Sequence, residues 1–192
     1  MSNLLSIFIK SMLIDNVVFV QYLAICPFIG MTSETGKASG MGLATTFVIV
    51  LATAVTWPLY TLVMIPLHLE FLQTLIFILV IASLVQLVEF YLKKSAPGLY
   101  SSMGIYLSLI TTNCAVLAIT LNCFKNNYGY LQSLVYALGS ALGFLLSMVI
   151  MSGVRSKLKT ADVPKAFKGT PILFVAAGLL SLAFLGFKGL IK

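Results

Sequence analysis

The sequence predicts an all-α integral membrane protein. Its six transmembrane helices form two inverted three-helix repeats, with the first and fourth helices interrupted near cysteines. Three observations predict it. Of 192 residues, 60% are hydrophobic and only 9% are charged, where a globular chain has roughly 45–50% and about 25%. Six apolar runs approach the ~20 residues that a helix needs to cross a bilayer, and the loops between them are short. Three spans per half turn the second half over, so a repeat of residues 1–95 in 96–192 must be inverted. The composition leaves one membrane domain, 1–192. It excludes a disordered chain, a disulfide scaffold and a soluble nucleic-acid binder.

The first run extends from about Leu4 to Met31 and carries Lys10 and Asp15. Its Leu23–Cys26 stretch looks like a lipoprotein cleavage box. However, Ile25 is bulky where a small residue is needed, and Asp15 and Asn16 interrupt the apolar stretch, so retention of the segment is expected. The second run, about Met41 to Ile65, has no charge. The third, about Phe71 to Leu92, ends near Glu89, with Lys93 one turn later in the favourable order for a helical ion pair. A role for Glu89 in contacting a partner or in an ion path stays open beside that pairing. The fourth run is about Met103 to Phe124 and places Thr111, Thr112 and Asn113 at mid-span. The fifth, about Tyr130 to Val154, carries Gly139 and Gly143, a GxxxG pair that lets helices approach closely. The sixth is about Pro171 to Leu190. Trp57, Tyr60, Tyr91, Tyr100, Tyr128 and Tyr130 fall near span ends, as an aromatic belt requires.

Charge sets the direction. Lys37, Lys93, Lys94, Arg155, Lys157, Lys159, Lys165 and Lys168 lie in the loops of one side. The other side has only Lys125, with Lys10, Lys188 and Lys192 near the chain ends. Positive loops stay in the cytoplasm, so both termini are expected to face outward. The net charge of +7 is thereby an effect of topology, and no nucleic-acid partner is expected.

The irregular segments hold the candidate chemistry. Pro27 after Cys26 breaks a helix, since proline lacks an N–H and restricts its neighbour, and Gly30 follows. Breaks at matching places in two halves point to a site near the membrane midplane. Cys26 and Cys114 hold similar places in the two halves; Cys123 has no counterpart and reads as a small buried hydrophobe. Two thiolates suit a disulfide or half of a metal site. An iron–sulfur centre needs about four ligands, so a second protein would have to supply the other two. A continuous helix from Met12 would bury Cys26 about 21 Å deep, past the centre unless it bends. His68, the single histidine, falls in an outer loop with an ordinary interfacial role. Asp15 reads either as part of an ion path or as a residue near the outer interface.

Several stretches resemble the RnfA family, the A-type subunits of the Rnf complex, which is the membrane-bound ferredoxin:NAD oxidoreductase of bacteria. They are Cys26–Gly30 (CPFIG), Gly40–Phe47 (GMGLATTF), Leu109–Leu117 (LITTNCAVL), Ala161–Pro164 (ADVP) and Ala177–Phe184 (AGLLSLAF). The likeness covers nearly the whole chain, in the same order. The E-type subunit of the sodium-translocating NADH:quinone oxidoreductase is a close relative, and Pro27 and Thr112 favour the Rnf side. The resemblance implies a protein that pairs with the homologous E-type subunit of the Rnf complex, which has the opposite orientation. Cys26 and Cys114 would then each ligate the iron of a shared intramembrane [2Fe-2S] cluster. It implies electrons passing between flavin- and iron–sulfur-bearing subunits on the two faces of the bacterial cytoplasmic membrane, coupled to movement of sodium ions or protons. Thr111, Thr112 and Asn113 either hydrogen-bond the sulfurs or hold the loop.

No Walker A, GxGxxG or CxxCxxC motif is found, so no nucleotide site is expected here. The Asp162-Val163-Pro164 turn can dock a cytoplasmic partner. Two rivals share the composition: a secondary transporter built on inverted repeats and a purely structural membrane protein of a larger complex. Only the cysteine motifs and the resemblance separate them from the redox reading.

Overall fold

The structure is a computed structural model that describes residues 2–64, 72–95, 107–160, 164 and 167–188. His68, Tyr100, Met103, Ala161, Asp162, Val163, Lys165 and Lys192 lie outside the described residues, as do the side chains of Tyr91, Lys93 and Lys188. The order is α1 (Ser2–Ile9) with a π-helical turn (Lys10–Ile14), α2 (Ile25–Met31), then α3 (Thr35–Leu59) with a second π-helical turn (Tyr60–Met64). Then follow α4 (Gln73–Ser95), α5 (Leu107–Thr111), α6 (Cys114–Lys125), α7 (Tyr130–Leu158) and α8 (Thr170–Lys188). No strand occurs among the described residues. Among the described residues, three stretches are long and apolar enough to cross a membrane: Thr35–Leu62, Gln73–Phe90 and Tyr130–Leu158. The apolar helical stretches Leu4–Ile14, Leu109–Lys125 and Thr170–Gly186 are shorter.

Helices α3 and α7 form the centre and run antiparallel. At one end Trp57 Nε1 donates to the Tyr128 carbonyl at 3.3 Å, and its ring meets Tyr130 edge-on at 5.2 Å. At the other end Ser152 Oγ and Thr35 Oγ1 lie 3.2 Å apart. Along α3 the hydroxyls of Thr45, Thr46, Thr53 and Thr56 donate to the carbonyls of Met41, Gly42, Ile49 and Ala52. These bonds to the preceding turn satisfy polar groups where no water reaches them. Around this pair the chain exchanges partners. α1 and its π turn lie on α7, α6 lies on α3, α4 contacts α3, α5 and α6, and α8 contacts α7 and the first π turn.

The GxxxG pair permits the α1–α7 contact. A Cβ on Gly139 would stand 2.8 Å from the Phe8 carbonyl oxygen, and one on Gly143 would stand 2.7 Å from that of Met12. Backbone blocks the space at both positions, and at Gly139 the Ser11 hydroxyl stands closer still. Gly143→Ala is expected to force the first segment off α7 and destabilise the protein by about 1–3 kcal/mol. Gly153→Ala, with nothing within 4 Å of its Cβ, is the silent control. The apparent melting temperatures of the two purified variants check this.

Over the run Leu4–Met31 the chain makes α1, a π turn, ten residues of turns at 15–24, and α2. The cause is Asn16, which is fully buried. Its Oδ1 accepts from the N–H groups of Val18 (3.0 Å) and Phe19 (3.2 Å), so those groups leave the helical ladder. Its Nδ2 donates to the carbonyls of Gly143 (3.0 Å) and Met12 (3.4 Å). Ser147 Oγ lies 3.0 Å from Oδ1 and 2.9 Å from the Gly143 carbonyl oxygen. The depth expected for Cys26 on a continuous helix therefore does not apply, because the chain turns before reaching it.

Candidate metal centre

Cys26 is the second residue of α2 and Cys114 the first of α6. Two left-handed residues, Tyr22 (φ 55°) and Ala24 (φ 59°), bend the chain just before α2. The bend aims the Ala24 N–H at Cys114, donating to its Sγ at 2.9 Å. Ala24 and Cys26 are two Cα steps apart, at most about 7.6 Å, so the two cysteines of the two halves share one neighbourhood. Both thiols are free and exposed on the chain's surface. Cys123 is fully buried, its Sγ 3.8 Å from the Ser133 carbonyl oxygen, and takes no part. Tyr22 is anchored by its hydroxyl, 2.7 Å from Ser181 Oγ, which in turn donates to the Phe19 carbonyl at 2.6 Å.

Left-handed geometry costs a non-glycine residue roughly 1–2 kcal/mol. Ala24→Gly is expected to keep the N–H, relieve this strain and preserve the fold. Ala24→Val, β-branched at positive φ, is expected to lower thermal stability and displace the donor from Cys114. Thermal unfolding of the two variants checks the order.

Asn113 ends the helical stretch through Thr111 and starts α6, its Oδ1 accepting from the Ala115 N–H at 3.0 Å. The side chain is buried, at 5% exposure, and its Nδ2 has no hydrogen-bond partner. Thr111 is half-buried and Thr112 exposed, flanking the same break.

Helices of known length flank this junction on both sides. Below it, the seven residues of α2 rise about 10 Å towards the basic end of α7. There Arg155 donates to the Ile29 carbonyl (2.8 Å) and to Thr32 Oγ1 (3.3 Å), and Lys159 donates to the Ser33 carbonyl (3.2 Å). In the other direction the twelve residues of α6 rise about 18 Å towards Tyr128 and Trp57. The sum is close to the ~30 Å of a hydrocarbon core.

Asp15 and Glu89 are not brought to the cysteines. Asp15 is half-buried and its charge acts on Tyr128, whose phenol is pushed up by burial first and then by that carboxylate. Tyr128 lies beyond the far end of α6. Glu89 is half-buried on α4, and no hydrogen bond or ion pair joins it to Cys26 or Cys114 among the described residues. Its expected pairing with Lys93 falls on a side chain outside the described residues.

The residues present fit half of an iron–sulfur site. Two thiols select soft metals, a backbone N–H already serves one sulfur, and the residue before Cys114 carries a buried amide donor without a partner. No group of three or more His, Cys, Asp or Glu side chains able to hold a metal occurs among the described residues. Further ligands would have to come from across the exposed surface on which the thiols lie. The sequence marks Asn16 only as an interruption and gives no sign of Ala24. The one available signal was an asparagine in mid-run, which marks an interruption without saying what it holds.

A polytopic helical membrane protein with a surface-facing cysteine pair is the class these features define. The chain belongs to the Rnf-Nqr family: the profile described as "Rnf-Nqr subunit, membrane protein" matches residues 4–191. It is 51% identical over 191 residues to the A-type subunit of the ion-translocating oxidoreductase complex of Syntrophotalea carbinolica, covering 100% of this chain and 99% of the relative. It is 47% identical over 188 residues to the A-type subunit of the Na(+)-translocating ferredoxin:NAD(+) oxidoreductase complex of Acetobacterium woodii, covering 98% of each. The corresponding protein of an Azoarcus species is 50% identical over 190 residues, with 99% and 98% covered.

Proposed function

We propose that this chain is the A-type subunit of an ion-translocating ferredoxin:NAD oxidoreductase and carries electrons through the bacterial cytoplasmic membrane. The observation that carries the reading is the junction of Ala24 with Cys114 Sγ, beside Cys26, with both thiols on the surface. Cys26 and Cys114 would supply two ligands of a [2Fe-2S] centre, the homologous E-type subunit supplying the other two from the opposite orientation. When bound, the centre supplies a one-electron relay near the midplane, splitting a ~30 Å crossing into two shorter steps. The chain's own residues hold the thiols at mid-depth, donate hydrogen bonds to sulfur and keep water away through the apolar packing of α2, α3 and α6.

The partner exchange of the helices supports six spans in two inverted repeats. The first segment lies on α7 as α6 lies on α3, and α4 and α8 flank the two sets. The lysine asymmetry supports outward termini. Electron flow would be coupled to sodium or proton movement with flavin- and iron–sulfur-bearing partner subunits. Asp15 and Glu89, away from the relay, are the acidic residues open to an ion path. Iron and acid-labile sulfide measured on the purified complex, wild type against Cys114→Ser, test the reading; equal contents would sink it.

A further inference from the structure

We propose that Asn113 tunes the reduction potential of the centre held by Cys26 and Cys114, raising it through a side-chain N–H donated to sulfur. This rests on the reading that these cysteines hold iron. The amide of Asn113 is one rigid plate with an acceptor at one corner and two donors at another. Its Oδ1 is committed to the Ala115 N–H, so the plate lies over the first turn of α6, the turn that Cys114 opens. That bond also decides which end of the amide is nitrogen. Nδ2 is then a buried donor with no acceptor, on a side chain 5% exposed. A capping duty alone does not account for it. Serine or threonine caps a helix as well and brings no spare amide into an apolar interior. The donor lacks an acceptor on the residue that precedes Cys114, and thiolate or sulfide sulfur held there would provide one.

The Ala24 N–H is the second donor, placed on Cys114 Sγ by the other half of the chain. A hydrogen bond to sulfur stabilises the more negative, reduced form more than the oxidised one, so each donor raises the potential. One electron enters and the same electron leaves; no bond is made or broken and no proton moves.

The experiment is a redox titration of the intact purified complex, read by electron paramagnetic resonance on the signal that Cys114→Ser abolishes. The variants are Asn113→Asp and Asn113→Ser. Both keep an oxygen for the α6 cap; the first replaces the donor with an acceptor, and the second is too short to carry it as far. Iron and sulfide contents are expected to match wild type. At fixed potential the reduced-to-oxidised ratio is expected to fall at least tenfold in Asn113→Asp, about 59 mV for a one-electron couple. Asn113→Ser should shift less, in the same direction. An unchanged potential in both variants with iron retained overturns the proposal. Loss of iron from both overturns it too, assigning Asn113 to the folding of the ligand loop. If wild type has no signal that depends on Cys114, the assignment of iron to the cysteines fails first, and the tuning role with it.

Discussion

Replacing Cys114 with serine is expected to abolish ferredoxin-to-NAD electron transfer in the assembled complex while leaving the protein in the membrane. The thiol is exposed, so the change removes one sulfur and disturbs no core. Changes around a metal site cost typically 10–100-fold in affinity or activity when they touch only outer partners. Loss of a ligand should exceed that range. Cys26→Ser is expected to do the same, and the double variant to be no worse than either single one, because residues that act as a unit do not add. Iron content, the visible spectrum and turnover should fall together. A transporter would keep its transport after these changes, and a structural protein would keep turnover; either outcome removes the relay. Cys123→Ser is not the matching control, since that thiol is fully buried and would cost stability by itself.

Asn16→Leu carries the second large effect, and it acts on folding. Leucine satisfies the apolar run but leaves the N–H groups of Val18 and Phe19 without the oxygen they now use. It also strips the Gly143 carbonyl of its cross-bundle donor. Each buried group left unpaired costs about 1–3 kcal/mol, against a whole-protein stability of roughly 5–15 kcal/mol. The expected result is little or none of this chain in the purified complex. Asn16→Asp should fall between. It keeps the oxygen for both N–H groups but turns a second oxygen on the carbonyls of Met12 and Gly143. Ser147→Ala, which removes one hydroxyl, should cost only about 0.5–1.5 kcal/mol. Quantifying the protein in membranes and after purification separates the three.

Pro27 and the Thr111–Asn113 stretch drew attention to the two cysteines, but Pro27 does not break a helix. It lies in the first turn of α2, where a missing N–H costs nothing, and the break comes before it at 15–24. The GxxxG pair was legible as close packing, yet its partner was not: the space goes to the main-chain carbonyls of Phe8 and Met12 and to the Ser11 hydroxyl, none of which a sequence pattern points to. Asn16 could be seen as an interruption only. What it holds lies 127 residues away at Gly143, and no local period records such a contact. Ala24 was invisible for a different reason. Its left-handed backbone would ordinarily call for glycine, and the alanine hides it. Asp15 drew attention as an acid in a greasy run, but its influence falls on Tyr128, beyond the far end of the helix that begins at Cys114.

The tie between Asn16 and Gly143 also fixes a timetable. A ribosome adding roughly 5–20 residues per second needs about 6–25 s to make the 127 residues that separate them. Until then the first segment lacks the α7 face on which it packs, and Cys114 is itself made 90 residues after Ala24. A polypeptide cut short before residue 143 would therefore leave Asn16 without the carbonyl that its amide binds across the bundle.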